Sequence, residues 1–365
     1  MDYRQAIREI RGADEAAMAR AREHCDSLIK PPGSLGRLEE VAVRLAGITG
    51  QVKNALGKRA IVVMAADNGV CAEGVAAAPQ AFTRLQAVNM TKGICGVSVF
   101  SKAAGVDLYV VDIGVMERPE AEAVLDRNVR RGTGNMAVGP AMTRAEAEAA
   151  IDVGFEVSAE LFGRGYDIIG TGEMGIGNTT STSACAIALL GIEPELAVGR
   201  GAGLTDEALA NKVGVVKRAL AINSPDKSDP VDVLSKVGGL DIAGLAGCFL
   251  AAAFFRKPIL VDGAISAVAA LIASRLCPSA AGFMIATHRS TEPSYDQTAR
   301  ELGLKPFFDM EMRLGEGSGC ALAFPIISAA CTMMNGMGTF ADIAFDDSVL
   351  VDIRETDEDL EGRHG

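Results

Sequence analysis

Short apolar runs and longer mixed stretches alternate along this chain. Residues 60–66 read Ala-Ile-Val-Val-Met-Ala-Ala, unbroken by a polar side chain. A run of that length without period-two alternation predicts a strand buried on both faces of a parallel sheet. Runs at 106–111, 166–169, 257–262 and 282–286 predict further strands. Helical stretches separate them, at 144–164, 230–255 and 264–276, with another at 321–334 and one that carries Thr83, Gln86 and Asn89. Strand–helix alternation of this kind predicts an α/β fold with a mostly parallel sheet flanked by helices. The small residues of 230–255 permit tight helix–sheet packing. Residues 1–29, rich in Ala, Arg and Glu, predict a helix that Pro31 and Pro32 stop. Ser34 is placed to cap the next one, 35–50. The acidic end is expected to fray, and residues 353–365 to be disordered.

Ligands in open α/β sheets bind beyond the carboxyl ends of the strands. Glycine-rich loops stand at those ends here, and several hold a carboxylate: Asp67, Asp112, Glu173 and Asp262. The segment Met312-Arg313-Leu314-Gly315-Glu316-Gly317-Ser318-Gly319-Cys320 is the most pointed. Its glycines let backbone N–H groups approach a ligand, and the helix behind it adds unpaired donors. That cradle suits an anion, yet Glu316 is one itself. A residue at odds with its local chemistry marks function, although a capped glycine turn reads the same way. Gly170, Gly172 and Gly175 spell a G-x-G-x-x-G between strand and helix, so a dinucleotide site is a competing reading. Glu173 inside the loop and the polar Asn178-Thr179-Thr180-Ser181 row argue against it. A metal at the four carboxylates is another alternative, but their spacing fits no ligand pattern and no His pairs with them. His288, one of three histidines, lies at a strand end, where a structural and a functional role both remain open.

Composition narrows the partners. The net charge is −12, aromatics are 5% and Trp is absent. This argues against nucleic acid and anionic membranes as partners. Hydrophobic residues at 49% of 365 supply a sizeable core. The most apolar run, 242–255, is shorter than the ~18 residues of a bilayer span. The N-terminus lacks an apolar signal core. Eight scattered cysteines without a C-x-x-C pair read as reduced core thiols of a cytoplasmic protein.

Five motifs together carry a resemblance: Pro31 to Gly36, Gly172 to Thr180, Ser235 to Gly239, Val261-Asp262-Gly263, and Met312 to Gly319. The chain resembles the nicotinate-nucleotide:dimethylbenzimidazole phosphoribosyltransferase family over nearly its whole length. The resemblance implies a Rossmann-like domain, 56–324, and a small helical domain from both chain ends, 1–55 with 325–350. It implies nicotinate mononucleotide as donor, an aromatic base as acceptor, no metal or other cofactor, and a homodimer. Glu316 falls on the general base and Glu173 on the second carboxylate. The donor's phosphoribosyl and nicotinate groups fall to Gly175, Asn178, Thr179, Gly201, Lys212, Asp262, Ser290, Arg313, Gly315 and Gly317. The acceptor pocket falls to Ala78, Gln86, Met174 and Leu314. Burial between glycines and Leu314 is expected to raise the carboxyl pKa of Glu316 toward the working range. Two positions depart from the pattern: Asn68 stands where His is common, and Ala78 where Ser often stands. The less polar pocket raises another benzimidazole, a purine, or a phenol or cresol as the natural acceptor. Some phenol-activating relatives work as heteromers of two similar chains.

Overall fold

The computed structural model describes residues 2–346 and 349–354. Six strands form one sheet: β1 (Arg59–Ala66), β2 (Asp107–Gly114), β3 (Val124–Asp126), β4 (Ile168–Met174), β5 (Ile259–Val261) and β6 (Met284–Ala286). Their order is β3-β2-β1-β4-β5-β6, and every pairing is parallel. The chain therefore reverses its direction of winding between β1 and β4, which opens a crevice at the carboxyl ends there. Every residue of β1 after Arg59 is buried, as the unbroken apolar run requires. β3 has three residues, too few for a pattern to show in the sequence.

β4 extends through Met174, so Gly170 and Gly172 are strand residues and not a phosphate loop. They are glycines because another segment presses on them. A Cβ on Gly170 would come within 2.7 Å of the Cys320 Cβ, and one on Gly172 would collide with the Glu316 carbonyl. The dinucleotide reading loses its loop.

The residues group into two compact units, Met1–Arg11 with Lys58–Ala323, and Gly12–Gly57 with Phe324–Gly365. The first eleven residues thus leave the expected helical domain. The backbone N–H of Tyr3 donates to Asp152 of the large unit at 2.8 Å. The N-terminal helix is broken as well, into Tyr3–Ala6 and Glu15–Asp26. Asp14 starts the second piece by accepting from the Ala17 N–H. Within the large unit, helix Leu240–Phe254 is buried at every position through Ala253. A Cβ on Gly154 of helix Arg144–Gly163 would land on the Gly244 carbonyl. The small residues thus bring two helices together as well as helix to sheet.

In the smaller unit, Gly36 rather than Ser34 precedes helix Arg37–Thr49, at φ +50°. Glu39 supplies the end group instead, accepting from the Leu35 N–H and pairing with buried Lys30 at 2.7 Å. Asn335 donates to the Asn54 carbonyl and ties the two sequence-distant parts of this unit. Among the described residues one helix, Ser318–Gly336, is long and apolar enough to cross a membrane. Its first turn is bound to a buried carboxylate described below, and 56% of its apolar window is buried, as in a core helix. Of the tail expected to be disordered, residues 355–365 lie outside the described residues.

Candidate active site

Gly315, Glu316 and Gly317 run consecutively in the left-handed region, at φ +77°, +65° and +94°. For glutamate this conformation costs of order 1–3 kcal/mol and persists only where surroundings over-determine it. Three hydrogen bonds do so. The Gln86 amide donates to one Glu316 oxygen at 2.7 Å. The Val97 N–H donates to the other at 3.1 Å. The Glu316 N–H itself donates to Glu173 Oε1 at 3.2 Å. Val97 lies in the first turn of helix Gly96–Ala104, which has no side-chain cap of its own. Glu316 supplies that cap from 219 residues away. Leu314, expected to help bury it, is 57% exposed, whereas Glu316 is buried. The enclosure comes from helix Gly96–Ala104 and Gln86.

Glu173 closes β4. Its second oxygen accepts from Asn178 Nδ2 at 2.5 Å, and the same amide nitrogen donates to Asp241 at 3.0 Å. Burial pushes the Glu173 carboxyl up to about 8, and the charges of Asp241 and Asp262 push the same way. Burial also raises Asp241, to about 6. Asp262 accepts from the N–H groups of Gly317, Gly319 and Cys320 at 3.2, 2.7 and 3.2 Å. It is therefore the cap of helix Ser318–Gly336 and fixes the turn that carries Glu316. Gly317, expected against phosphate, spends its N–H on Asp262. His288 is buried beside this cap, its Nδ1 3.9 Å from Asp262 and its ring stacked on Phe308.

These groups surround a cavity of about 350 Å³, the size that takes a drug-sized ligand. Glu173, Met174, Asp262 and His288 reach it from the ends of β4, β5 and β6. Apolar residues make up much of the lining, among them Val75, Ala76, Ala77, Ala78, Phe82, Met174 and Leu314, and Gln86 lines it too. Gly175, Asn178, Thr179, Gly201, Ser290, Arg313, Gly315 and Glu316 are also in the lining. Asn178–Leu190 and Ala264–Leu276 both present N-terminal residues to the cavity, and neither has a side-chain cap. Such ends hold free N–H donors and a partial positive charge. Lys212 stands one layer back. Its ammonium donates to Thr179 Oγ1 at 2.8 Å and to the Gly199 carbonyl at 3.0 Å. Burial lowers it to about 8.

The other singled-out groups do not line the cavity. Asp112 takes the Val115 N–H, Asn128 and the Arg131 guanidinium. Asp67 accepts from the Met116 N–H. Asn68 is fully buried and accepts from Ser181 at 3.3 Å. Sequence reasoning missed Val97, Asp241 and Glu292. Glu292 lines the cavity and accepts from the Gly201 N–H at 2.9 Å. Asp241 had a visible signal, as the one acid in the otherwise apolar stretch 240–254. Val97 had none, since its contribution is a backbone N–H.

A family model described as Phosphoribosyltransferase matches residues 10–344. The nicotinate-nucleotide–dimethylbenzimidazole phosphoribosyltransferase of Clostridium tetani is 49% identical over 352 residues, 96% of this chain and 97% of that one. The chain belongs to the nicotinate-nucleotide–dimethylbenzimidazole phosphoribosyltransferase family. The enzyme of the same name from Acetivibrio thermocellus is also 49% identical, over 93% of this chain and 96% of its own. The crystal structure of CobT from Thermus thermophilus matches with a TM-score of 0.87 and 42% identity, covering 91% of this chain and 99% of that one. The family resemblance read from the glycine–glutamate motifs is borne out, and so is the enzyme class, a phosphoribosyltransferase.

Proposed function

We propose that this enzyme moves the 5-phosphoribosyl group of nicotinate mononucleotide to a ring nitrogen of a benzimidazole-type base. The products are nicotinate and an α-ribotide of the α-ribazole 5′-phosphate type, used in cobamide nucleotide-loop synthesis. The placement of Glu316 carries the reading: its carboxylate, held by Gln86 and Val97, lies at a cavity with much apolar lining. Those apolar residues receive the flat acceptor. The uncapped ends of Asn178–Leu190 and Ala264–Leu276, backed by Lys212, receive the phosphate. The bond between the ribose anomeric carbon and the pyridinium nitrogen breaks, and its electron pair stays on nitrogen. Nicotinate thus leaves as a neutral ring without an acid. The acceptor nitrogen attacks the opposite face, which inverts β to α. The proton on its other ring nitrogen passes to Glu316. With a neutral leaving nitrogen, these steps need no metal or cofactor.

Product analysis tests the reading. Purified protein, nicotinate mononucleotide and a panel of benzimidazoles, adenine and phenols are expected to give nicotinate and an α-configured ribotide in equal amounts. A β-configured product, or release of nicotinate without a ribotide, contradicts it. The panel also tests a second reading, a phenol or cresol acceptor, which Ala78 favours by leaving its place in the lining without a hydroxyl. Ala78→Ser is expected to raise the use of dimethylbenzimidazole over phenol several-fold. An unchanged ratio removes Ala78 from acceptor choice.

Lys212→Ala is expected to raise the donor KM by roughly tenfold with kcat little changed, the loss of one charge-assisted contact. An unchanged KM removes Lys212 from the phosphate subsite. The ammonium is lowered to about 8, so its charge and its share of donor binding are present below that pH and fade above it. No disulfide joins the cysteines among the described residues, which suits a reducing cytoplasm. We take the working form to be a homodimer. Light scattering on the purified chain tests this, and a chain that needs a similar second subunit for activity would contradict it.

A further inference from the structure

Asp241, Asn178 and Glu173 belong together in a way the reaction as written does not use. One amide nitrogen, Asn178 Nδ2, donates to both carboxylates, at 2.5 Å to Glu173 and 3.0 Å to Asp241. Asp241 is 0% exposed and Glu173 8%. The groups that face them are acids, Asp262 and Glu316 beside Glu173 and Asp67 beside Asp241, together with the buried thiol of Cys185 beside Asp241. His288 stands behind Asp262. Two like charges joined through one neutral amide inside a protein do not both ionise readily.

The fold decides which of the two keeps the proton. Asp241 is in the first turn of helix Leu240–Phe254, where the helix end favours negative charge, and it accepts from the Ile242 N–H. Glu173 is at a strand end, outside any helix, and takes a backbone N–H only from Glu316, across the turn. We infer that Asp241, Asn178 and Glu173 form one buried unit that holds a single proton on Glu173 at neutral pH, with Asp241 the positioning residue that keeps it there. Burial and neighbouring charge place Glu173 at about 8 and Asp241 at about 6, in agreement. The consequence for the cavity is electrostatic and rests on the proposed donor. A neutral Glu173 keeps its own charge out of the cavity. An ionised Glu173 adds a negative charge where an anionic nucleotide must enter.

The test is an infrared titration of the whole enzyme, following the carbonyl stretch of neutral carboxylic acid. The band lost in Glu173→Gln identifies Glu173. In the wild type that band is expected to disappear with a midpoint near 8. In Asp241→Asn, an isosteric change that removes the facing charge, the midpoint is expected to fall by about one pH unit or more. The alkaline decline of kcat/KM for the donor should move down with it. Lys212 titrates in the same range, but it has no carbonyl band, and its share of the decline should stay in place. In a Glu173→Gln background, Asp241→Asn should move the decline no further, because Asp241 acts through Glu173. An unchanged midpoint in Asp241→Asn overturns the inference, as does an ionised Glu173 at pH 7 in the wild type. The infrared result stands whatever the substrate is, so it separates failure of this inference from failure of the assigned reaction.

Discussion

Replacing Glu316 by glutamine is expected to leave nicotinate mononucleotide bound while turnover falls by roughly 10²-fold or more. The two side chains have the same size, so the variant isolates the base. The geometry adds a second consequence. Both Glu316 oxygens face donors, the Gln86 amide and the Val97 N–H. A glutamine presents one oxygen and one NH2, so the Val97 N–H keeps the oxygen and the Gln86 amide must turn its own oxygen to the NH2. Exchanging charge-assisted hydrogen bonds for neutral ones is expected to cost about 1 kcal/mol of stability. kcat and kcat/KM should fall together, with the donor KM within a few-fold of wild type. Unfolding melts and steady-state kinetics check the two parts separately. Turnover like that of the wild type would rule out Glu316 as the base.

Gly172→Ala is expected to have an effect of similar size without touching any reacting group. Its Cβ would come within 2.8 Å of the Glu316 carbonyl carbon and 2.9 Å of Val63 Cγ2, and it would press on the Glu316 carbonyl oxygen. The strand is held between β1 and β5 by parallel pairing. The turn at Gly315 to Gly317 must therefore give way, and the carboxylate moves with it. Overpacking of this kind costs about 1–3 kcal/mol. Displacing a reacting group by an ångström costs on the order of 10²-fold in rate. Gly163→Ala is the control. A Cβ there meets nothing within 4 Å, so stability and rate should stay as they were. A Gly172→Ala enzyme with normal melting and normal kcat would show that the strand does not position the turn.

The parts of this molecule that were legible in the sequence are those set by local pattern. The run at 60–66 marked β1 because a strand buried on both faces has no polar alternation to show. The helix Ala264–Leu276 followed from its apolar content and the Gly263 before it. The cluster around Glu316 announced itself as an acid among glycines. Long-range contacts were not legible. Nothing near Gly170 and Gly172 says that Cys320 and Glu316 lie on them, so a strand passed for a loop. The cap that Glu316 gives to helix Gly96–Ala104 joins residues 219 positions apart. Asp262 read as a ligand group, but its carboxylate accepts the N–H groups of residues 55 to 58 positions on. In each case the partner is chosen by the folded chain, and neighbouring residues leave no trace of it.

The most direct measurement of the central claim compares two acceptors in the wild type and in Glu316→Gln. Benzimidazole has a ring N–H to lose; its N-methyl analogue attacks through the same nitrogen but has no such proton. With benzimidazole the variant should be slower by roughly 10²-fold or more, and with the N-methyl analogue the gap should shrink to within about tenfold. The same large gap with both acceptors would contradict proton removal by Glu316 and leave its charge or its place in the turn as the source of the rate.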